Sequence, residues 1–265
     1  MRRSQLFWGI VLLLVGGLML ANEMGVKLPN GMSLMQLFWP LAFIFAGGWV
    51  LVGVLFRGNV ETENASIDLQ GANNAYVKIS HGAGELKVHS GANINEIAHG
   101  TFVGGLEHRA TRSGDRLEVR MKPAREFMDF SFFGPPTQLD WDVALNSEIQ
   151  TALVLSLGAN KSILDLRDMN ITDLKLETGA SDTRLTLPMR GRYRADFDFG
   201  AASLEVTIPD GLSARIRASL GAADMKIDAS RFPRSGSYYQ SPDYDSAANA
   251  VDITIDAGAA SIRIR

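Results

Sequence analysis

The dipeptide Gly-Ala recurs at a fixed spacing along this chain, and no other feature restricts its fold as strongly. Four copies follow one another at intervals of 21 residues, and two related copies lie outside that run. Apolar residues stand three and five positions before each glycine and six positions after it, mostly with polar residues between them. This alternation predicts a strand on either side of the glycine, with one buried and one solvated face. The six turn glycines are Gly82, Gly158, Gly179, Gly200, Gly221 and Gly258.

The strand–turn–strand unit around each glycine is too small to bury its own apolar residues. We therefore expect the units to stack, so that their apolar rows merge into one core. Glycine at the turn allows either a positive φ or a close approach between neighbouring units. Ordinary hairpins of a β-sandwich would not explain the constant interval. Residues 60–265 are predicted to form an all-β, solenoid-like (β-helix-like) domain, whose final strand, residues 250–265, leaves an unpaired edge.

Two segments interrupt the repeat, near residues 123–147 and near residues 231–249. Insertions in repeat proteins form loops, often on the binding face. The first insertion is unusually aromatic, and it is interpreted either as a cap that closes the stack or as an exposed surface for a partner or the bilayer. The second interpretation makes its apolar residues the candidate interaction surface: Phe127, Met128, Phe130, Phe132 and Phe133.

The first 59 residues contain two long segments without charge. Residues 6–21 are uncharged over 16 positions and residues 37–56 over 20, and a helix of about 20 residues spans the hydrocarbon core of a bilayer. We predict a transmembrane two-helix hairpin over residues 1–59, with spans at about 6–22 and 37–56. The spans repeat each other at an offset of 31 residues, which places a glycine pair near the middle of each and favours close helix packing there: Gly16, Gly17, Gly47 and Gly48.

The charges that flank the two spans predict their orientation. A cleaved secretory signal would also begin with Arg2-Arg3 and an apolar stretch, but a second matching span directly afterwards disfavours it. Arg2 and Arg3 precede the first span and Arg57 follows the second, whereas the connecting loop contains only Glu23 and Lys27. The positive-inside rule therefore predicts a multi-pass protein of the cell membrane with both termini cytoplasmic.

The polar part of the chain shows no recognisable catalytic or cofactor site. Its 22 basic and 28 acidic residues disfavour nucleic-acid binding, and the absence of cysteine excludes disulfides and thiolate metal sites. His81 and His89 are interpreted as turn and surface residues rather than metal ligands. Glu177, Asp198 and Asp256 are interpreted as a solvated face with cross-strand ion pairs, rather than as a calcium site or an acid–base pair. We predict no enzyme activity, no catalytic residue, no cofactor and no metal.

The membrane segment and the repeat together resemble the LiaF-like membrane proteins of bacteria. The resemblance rests on Leu37-Phe38-Trp39-Pro40 through Gly47-Gly48 and on the Gly-Ala copies. It implies a LiaF/LiaI-type transmembrane region followed by a C-terminal toastrack (adhesin-like) β-repeat domain. It also implies a role in the cell-envelope stress response, in which the founding type of the family restrains a partner sensor histidine kinase. That founding type has about four spans, whereas two are predicted here.

Two functions from different classes follow. The first is a non-enzymatic, membrane-anchored regulator or sensor that acts by binding a membrane or cytoplasmic protein, for which the resemblance suggests a sensor histidine kinase. The second is a membrane-associated scaffold, similar to bactofilins, whose β-stacks assemble into homo-oligomers through the unpaired final strand. A carbohydrate-active enzyme, the third class, would require a carboxylate that is essential for activity.

Overall fold

The computed structural model describes residues 62–124 and 139–265, together with Gly16, Leu20 and Phe43. Those three isolated positions are helical, and the rest of the two predicted spans lies outside the described residues. Among the positions that are described, no helix is both long enough and apolar enough to cross a bilayer. The aromatic segment between residues 125 and 138, with all five residues of the candidate interaction surface, also lies outside the described part.

The described residues form an all-β domain, as the repeat predicts, and all of its strands belong to one compact unit. The strands are β1 (Thr62–Asp68), β2 (Asn74–Ser90), β3 (Glu96–Val103), β4 (Leu106–Ser113), β5 (Arg116–Pro123), β6 (Asp140–Leu145), β7 (Gln150–Asp165), β8 (Ile171–Thr178), β9 (Asp182–Thr186), β10 (Arg192–Phe199), β11 (Ser203–Thr207), β12 (Ser213–Leu220), β13 (Asp224–Ile227), β14 (Arg234–Ser235), β15 (Tyr238–Gln240), β16 (Ala250–Ala257) and β17 (Ser261–Ile264).

The strands pair into two ladders that meet at the Gly-Ala turns. The first ladder has the order β4-β5-β2-β7-β8-β10-β16-β12-β15-β14. The second has the order β1-β3-β6-β2-β7-β9-β11-β17-β13. β2 and β7 run through both ladders, and each of the other layers of the stack has one strand in each. Within the stack all pairs are parallel, so identical positions of successive repeats lie side by side.

The two ladders enclose one hydrophobic core. The apolar rows on either side of the turn glycines face inwards, and nearly all of these side chains are buried. Each fully buried side chain of this size stabilises the fold by about 1.5–3 kcal/mol, but no layer could form a core without its neighbours. The row five positions before the glycine runs across the first ladder as Val77, Leu153, Leu174, Ala195, Ile253 and Ile216.

The order of the layers departs from the order of the sequence, and one expectation from the sequence was therefore wrong. β16 pairs with β10 on one side and with β12 on the other, and β17 pairs in the same way with β11 and β13. The final strand is thus an interior part of the stack and leaves no free edge. The layer formed by β12 and β13 lies at the end of the stack instead.

Both predicted insertions contain strands. The second half of the first one contains β6, which pairs with β2 and β3. Since β5 also pairs with β2, β5 and β6 form a further layer of the stack. The second insertion contains the hairpin β14–β15, which pairs with the first half of β12, and its Phe232 is fully buried.

At the turns, the backbone hydrogen bonds between layers continue without a break. The amides of Gly200 and Ala201 donate to the carbonyl oxygens of Thr178 and Gly179 in the neighbouring layer, at 3.0 and 2.8 Å. The turn glycines have no positive φ, so backbone freedom is not the reason for glycine here. A Cβ at Gly200 would lie 2.9 Å from the oxygen of Gly179, which is too close for a real side chain. Glycine is required because the layers approach closely.

The closeness of this approach varies along the column, which gives a matched test. A Cβ at Gly158 would overlap the carbonyl oxygen of Gly82, whereas one at Gly179 would make an ordinary contact of 3.5 Å with that of Gly158. We expect Gly158→Ala to lower the free energy of unfolding by about 1–3 kcal/mol through overpacking. Gly179→Ala should change it by less than about 1 kcal/mol. Denaturant unfolding of the detergent-solubilised protein, followed by the circular dichroism of the β domain, measures both, and equal losses would contradict the close-approach explanation.

Candidate interaction groove

The described residues form a groove of about 900 Å³. It lies on the outer, solvated face of the second ladder, near the end that contains β1, β3 and β6. β2 forms its other side. Its lining consists of Asn64, Ala65, Ser66, Glu85, Lys87, His89, Asn93, Glu96, His99, Gly100, Thr101, Val103, Asp140, Trp141, Asp142 and Ala144.

The register of three strands explains why a depression forms here. Ala144 of β6 pairs with His89 of β2 on one side and with His99 of β3 on the other. A small residue between two larger ones leaves a low point in the surface. Gly100 adds to it, because a Cβ there would overlap the carbonyl oxygen of Asp142. β3 therefore approaches β6 more closely than a side chain would permit.

His89 is placed to be positively charged. Its Nδ1 lies 2.7 Å from the carbonyl oxygen of Ser90, and its Nε2 lies 2.8 Å from Oδ1 of Asp142. Both ring nitrogens face acceptors, so the imidazolium form can donate twice. Partial burial lowers the pKa of His89, but the two hydrogen bonds and the charges of Asp142 and Asp165 outweigh that effect and raise it overall.

One rim of the groove is formed by the loop between β2 and β3, and a buried amide holds this loop in place. Nδ2 of Asn146 donates to the carbonyl oxygens of Asn93 and Glu96 at 3.1 and 2.8 Å. Its Oδ1 accepts the backbone amide of Glu148 at 2.9 Å. The loop presents Ile94 to solvent with 78% of its surface exposed. Ile94 follows Asn93 of the groove lining, so its side chain is accessible to a molecule that binds there.

The polar side chains of the groove are mostly engaged with one another. Glu85 forms ion pairs with Lys87 at 3.4 Å and with Lys161 of the next layer at 3.6 Å. Oγ1 of Thr101 donates to Oδ1 of Asn64 at 2.8 Å. Within residues 62–124 and 139–265, no group of three His, Asp or Glu side chains is arranged to hold a metal ion. The chemistry of the groove is that of hydrogen bonding and charge, which suits recognition of a polypeptide surface.

His81 lies on the other side of the sheet from the groove, and its placement corrects a prediction. The sequence suggested an exposed turn histidine, but His81 is buried, 5.3 Å from the ring of Trp141. Its Nε2 donates to the carbonyl oxygen of Leu139 at 2.9 Å, and its Nδ1 faces Nδ2 of Asn160 at 3.3 Å. Burial lowers its pKa, against smaller raising effects of the Leu139 carbonyl and of Asp140. Since His81 lies on the buried face of β2 and His89 on the outer face, the two rings do not meet in a metal site.

The insertion of β16 brings together three carboxylates that are far apart in the sequence. Glu177, Asp198 and Asp256 occupy adjacent positions of β8, β10 and β16. Oε1 of Glu177 lies 2.5 Å from Nζ of Lys175, and its Oε2 accepts the hydroxyl of Ser156 at 3.0 Å. Both hydrogen bonds lower the pKa of Glu177, and the one from Lys175 has the larger effect. A lowered pKa is the opposite of what a general acid requires.

The remaining candidate residues from the sequence do not converge on the groove. The turn glycines form one column along the corner of the stack, in the order Gly82, Gly158, Gly179, Gly200, Gly258 and Gly221. Gly16 is helical and exposed, whereas Gly17, Gly47 and Gly48 lie outside the described residues. The aromatics of the second insertion pack onto the stack, where Arg215 lies 4.2 Å from the ring centre of Tyr244.

Sequence reasoning missed the groove because its central strand, β6, lacks the Gly-Ala marker. The alternation in Leu139-Asp140-Trp141-Asp142-Val143 could have identified a strand. Its neighbours could not have been identified, because β3 pairs with β6 across more than forty residues of chain. His89, Ala144 and His99 lie side by side because β6 pairs with β2 on one side and with β3 on the other.

The two histidines should affect stability in opposite directions with pH. His81 has a folded-state pKa below the ordinary value of 6.5. Its contribution is therefore complete above pH 6.5 and is lost as the pH falls below it, when the unfolded chain binds the proton more readily. His89 has a raised pKa, so its contribution is present below pH 6.5 and is lost as the pH rises through the folded value.

We expect His81→Gln to reduce the loss of stability between pH 8 and pH 5, and His89→Gln to increase it. Denaturant unfolding of the wild type and both variants at several pH values measures these differences. Each variant serves as the control for the other, because a general effect of losing a ring would move both slopes in the same direction. Parallel slopes for all three proteins would contradict the two assigned protonation states.

Comparison with known proteins agrees with this architecture. Residues 56–207 match the family described as the N-terminal domain of toast_rack, DUF2154, and residues 6–51 match the LiaI-LiaF-like transmembrane region. No curated protein matches the sequence.

Two solved structures are similar to this chain. A candidate cell adhesion protein from Clostridium sporogenes ATCC 15579 has 21% sequence identity and a TM-score of 0.68. The match covers 77% of this chain and 98% of the adhesion protein's chain. At 21% identity this likeness concerns the fold alone. A candidate adhesin from Bacteroides fragilis NCTC 9343 has 8% sequence identity and a TM-score of 0.31. The match covers 77% of this chain and 96% of the adhesin's chain. The family matches confirm the resemblance drawn from the sequence: the chain belongs to the toast_rack family and combines its β domain with a LiaI-LiaF-like transmembrane region.

Proposed function

We propose that this protein is a membrane-anchored, non-enzymatic regulator of the bacterial cell-envelope stress response, and that it acts by binding another protein. The observation that supports this most directly is the groove with its exposed Ile94, on a β domain that follows a transmembrane region. The backbone ladders that join β1, β3, β6 and β2 behind the groove make it a rigid surface. A rigid surface loses little conformational entropy on binding.

The charges of the outer faces support a binding role over catalysis. They are arranged as cross-strand ion pairs, such as Arg184 and Arg265 with Glu205, at 3.7 and 3.1 Å. Glu177, the first of the three adjacent carboxylates, has a lowered pKa. A hydrolase of the kind seen among β-helices would need one carboxyl group with a raised pKa beside an ionised one.

The partner that the family resemblance suggests is a membrane-bound sensor histidine kinase. The aromatic segment with Phe127, Met128, Phe130, Phe132 and Phe133 is a second proposed contact, either with that partner or with the bilayer. It joins β5 to β6, and β6 forms the central strand of the groove. β5 and β6, which flank this segment in the sequence, belong to the same end of the stack as the groove.

The proposed orientation places both termini in the cytoplasm, because Arg2, Arg3 and Arg57 flank the two spans. A reporter enzyme that is active only outside the cytoplasmic membrane, fused after Arg265, should stay inactive. The same reporter inserted in the loop between the spans, after Asn30, is the matched control and should be active. An active C-terminal fusion would reverse the orientation, and with it the side of the membrane on which the partner is sought.

The groove itself is tested by two exposed apolar residues at different places. Ile94 is 78% exposed beside the groove, and Met189 is 42% exposed on a different turn of the stack. If Ile94 contacts the partner, Ile94→Ser should reduce partner capture at least about fivefold, since burial of such a side chain is worth more than 1 kcal/mol.

Capture is measured by crosslinking the tagged full-length protein in its native membranes and quantifying the kinase or other protein recovered. Met189→Ser is the control and should recover as much partner as the wild type. Both changes replace an exposed apolar residue with serine, so neither should alter the denaturation midpoint of the β domain. Equal recovery with Ile94→Ser and with Met189→Ser would exclude the groove as the binding surface.

A further inference from the structure

The two ends of the described stack are finished differently. At one end, the first ladder closes with β4, whose side chains are exposed on both faces except for Leu106 and the partly buried Ala110. The second ladder closes there with β1, which is also mostly polar and exposed. Polar terminal strands of this kind keep the core of a repeat protein from solvent and from neighbouring molecules.

The other end is only half covered. The hairpin β14–β15 pairs with Arg215 and Ile216 of β12, but β12 continues to Leu220. Within the described part of the chain, β13 pairs with β17 alone, so its second edge is open. From Ala218 onwards, the inward-facing side chains of this last layer are only partly buried: Ala218, Leu220, Ala223, Met225 and Ile227.

We infer that a second copy of this chain covers this end, by antiparallel pairing of β13 with β13 of the other copy about a two-fold axis through Met225. Alternation requires residues that oppose each other to face the same side of the sheet. In this register Met225 therefore opposes Met225 of the other copy, and Ala223 opposes Ile227. The partly exposed apolar side chains meet across the axis.

The charges of the strand select a second copy as the occupant. In the same register Asp224 of each copy opposes Lys226 of the other, which gives two ion pairs on the outer face. β13 is therefore complementary to itself when it is reversed. Because a two-fold interface uses the same surface on both copies, it closes after two chains. The product is a dimer and not a filament.

This dimer is independent of the proposed binding groove. The groove lies against β1, β3 and β6, at the opposite end of the second ladder from β13. If the dimer does not form, capture of a partner through Ile94 should be unaffected. If partner capture does not depend on Ile94, dimerisation should likewise be unaffected.

The chain contains no cysteine, so a single introduced cysteine reports the geometry cleanly. Opposed residues of an antiparallel pair have Cα atoms about 4.5–5.5 Å apart, which is within the range that a disulfide bridges. Full-length protein with Met225→Cys, oxidised in isolated membranes, should run as a covalent dimer. Glu107→Cys is the control for random collision, because its side chain is exposed on β4 at the opposite end of the stack. Dimer formation by Met225→Cys no greater than that of the control would overturn the inference.

A charge exchange tests the register. Asp224→Lys alone, or Lys226→Asp alone, places like charges opposite each other and should weaken the non-covalent dimer about tenfold. The double variant Asp224→Lys/Lys226→Asp restores opposite charges and should restore dimerisation. Glu107→Lys, on β4 at the other end, should have no effect. The dissociation constant is measured by sedimentation of the detergent-solubilised full-length protein. A double variant as weak as the single ones would rule out this pairing.

Discussion

At most corners of the stack, the contact between a turn glycine and the carbonyl oxygen of the glycine in the neighbouring layer determines how closely the layers can approach. A Cβ at Gly200, Gly258 or Gly221 would lie about 3 Å or less from that oxygen. The amides that follow the corner can therefore continue the ladder of backbone hydrogen bonds from one arm to the other. Because this ladder keeps identical positions of the repeats in register, their apolar side chains form a continuous core.

That register also produces the surface features. On the outer face it places opposite charges on neighbouring strands, as with Glu85 and Lys161. Where an alanine lies between two histidines it leaves the groove, whose polar groups are already oriented by one another. His89 and His81 lie on the two faces of a single strand and differ accordingly. His89 faces two hydrogen-bond acceptors, and its pKa is raised. His81 is buried, and its pKa is lowered.

The position of the final layer gives the stack its asymmetry. Since β16 and β17 lie between earlier strands, the chain end is held in the interior. The layer left outside, β12 with β13, is covered only in part. One end of the molecule thus has polar strands and the groove, while the other has an open edge whose charges are complementary to themselves. The proposed partner site and the proposed dimer edge therefore lie at opposite ends of the second ladder.

The sequence by itself determined the strands on either side of the Gly-Ala turns, their buried faces and the family, because these depend on local alternation and on the spacing of glycines. It also showed, through the absence of cysteine, that no disulfide holds the domain. Only the tertiary structure decided which strands are neighbours. The place of β16, the partners of β6, the burial of His81 and the groove around Ala144 all follow from pairings between segments distant in the chain. Local patterns fix which face of a strand is apolar, but every buried strand of this domain offers a similar apolar face, so they cannot specify which one pairs with which.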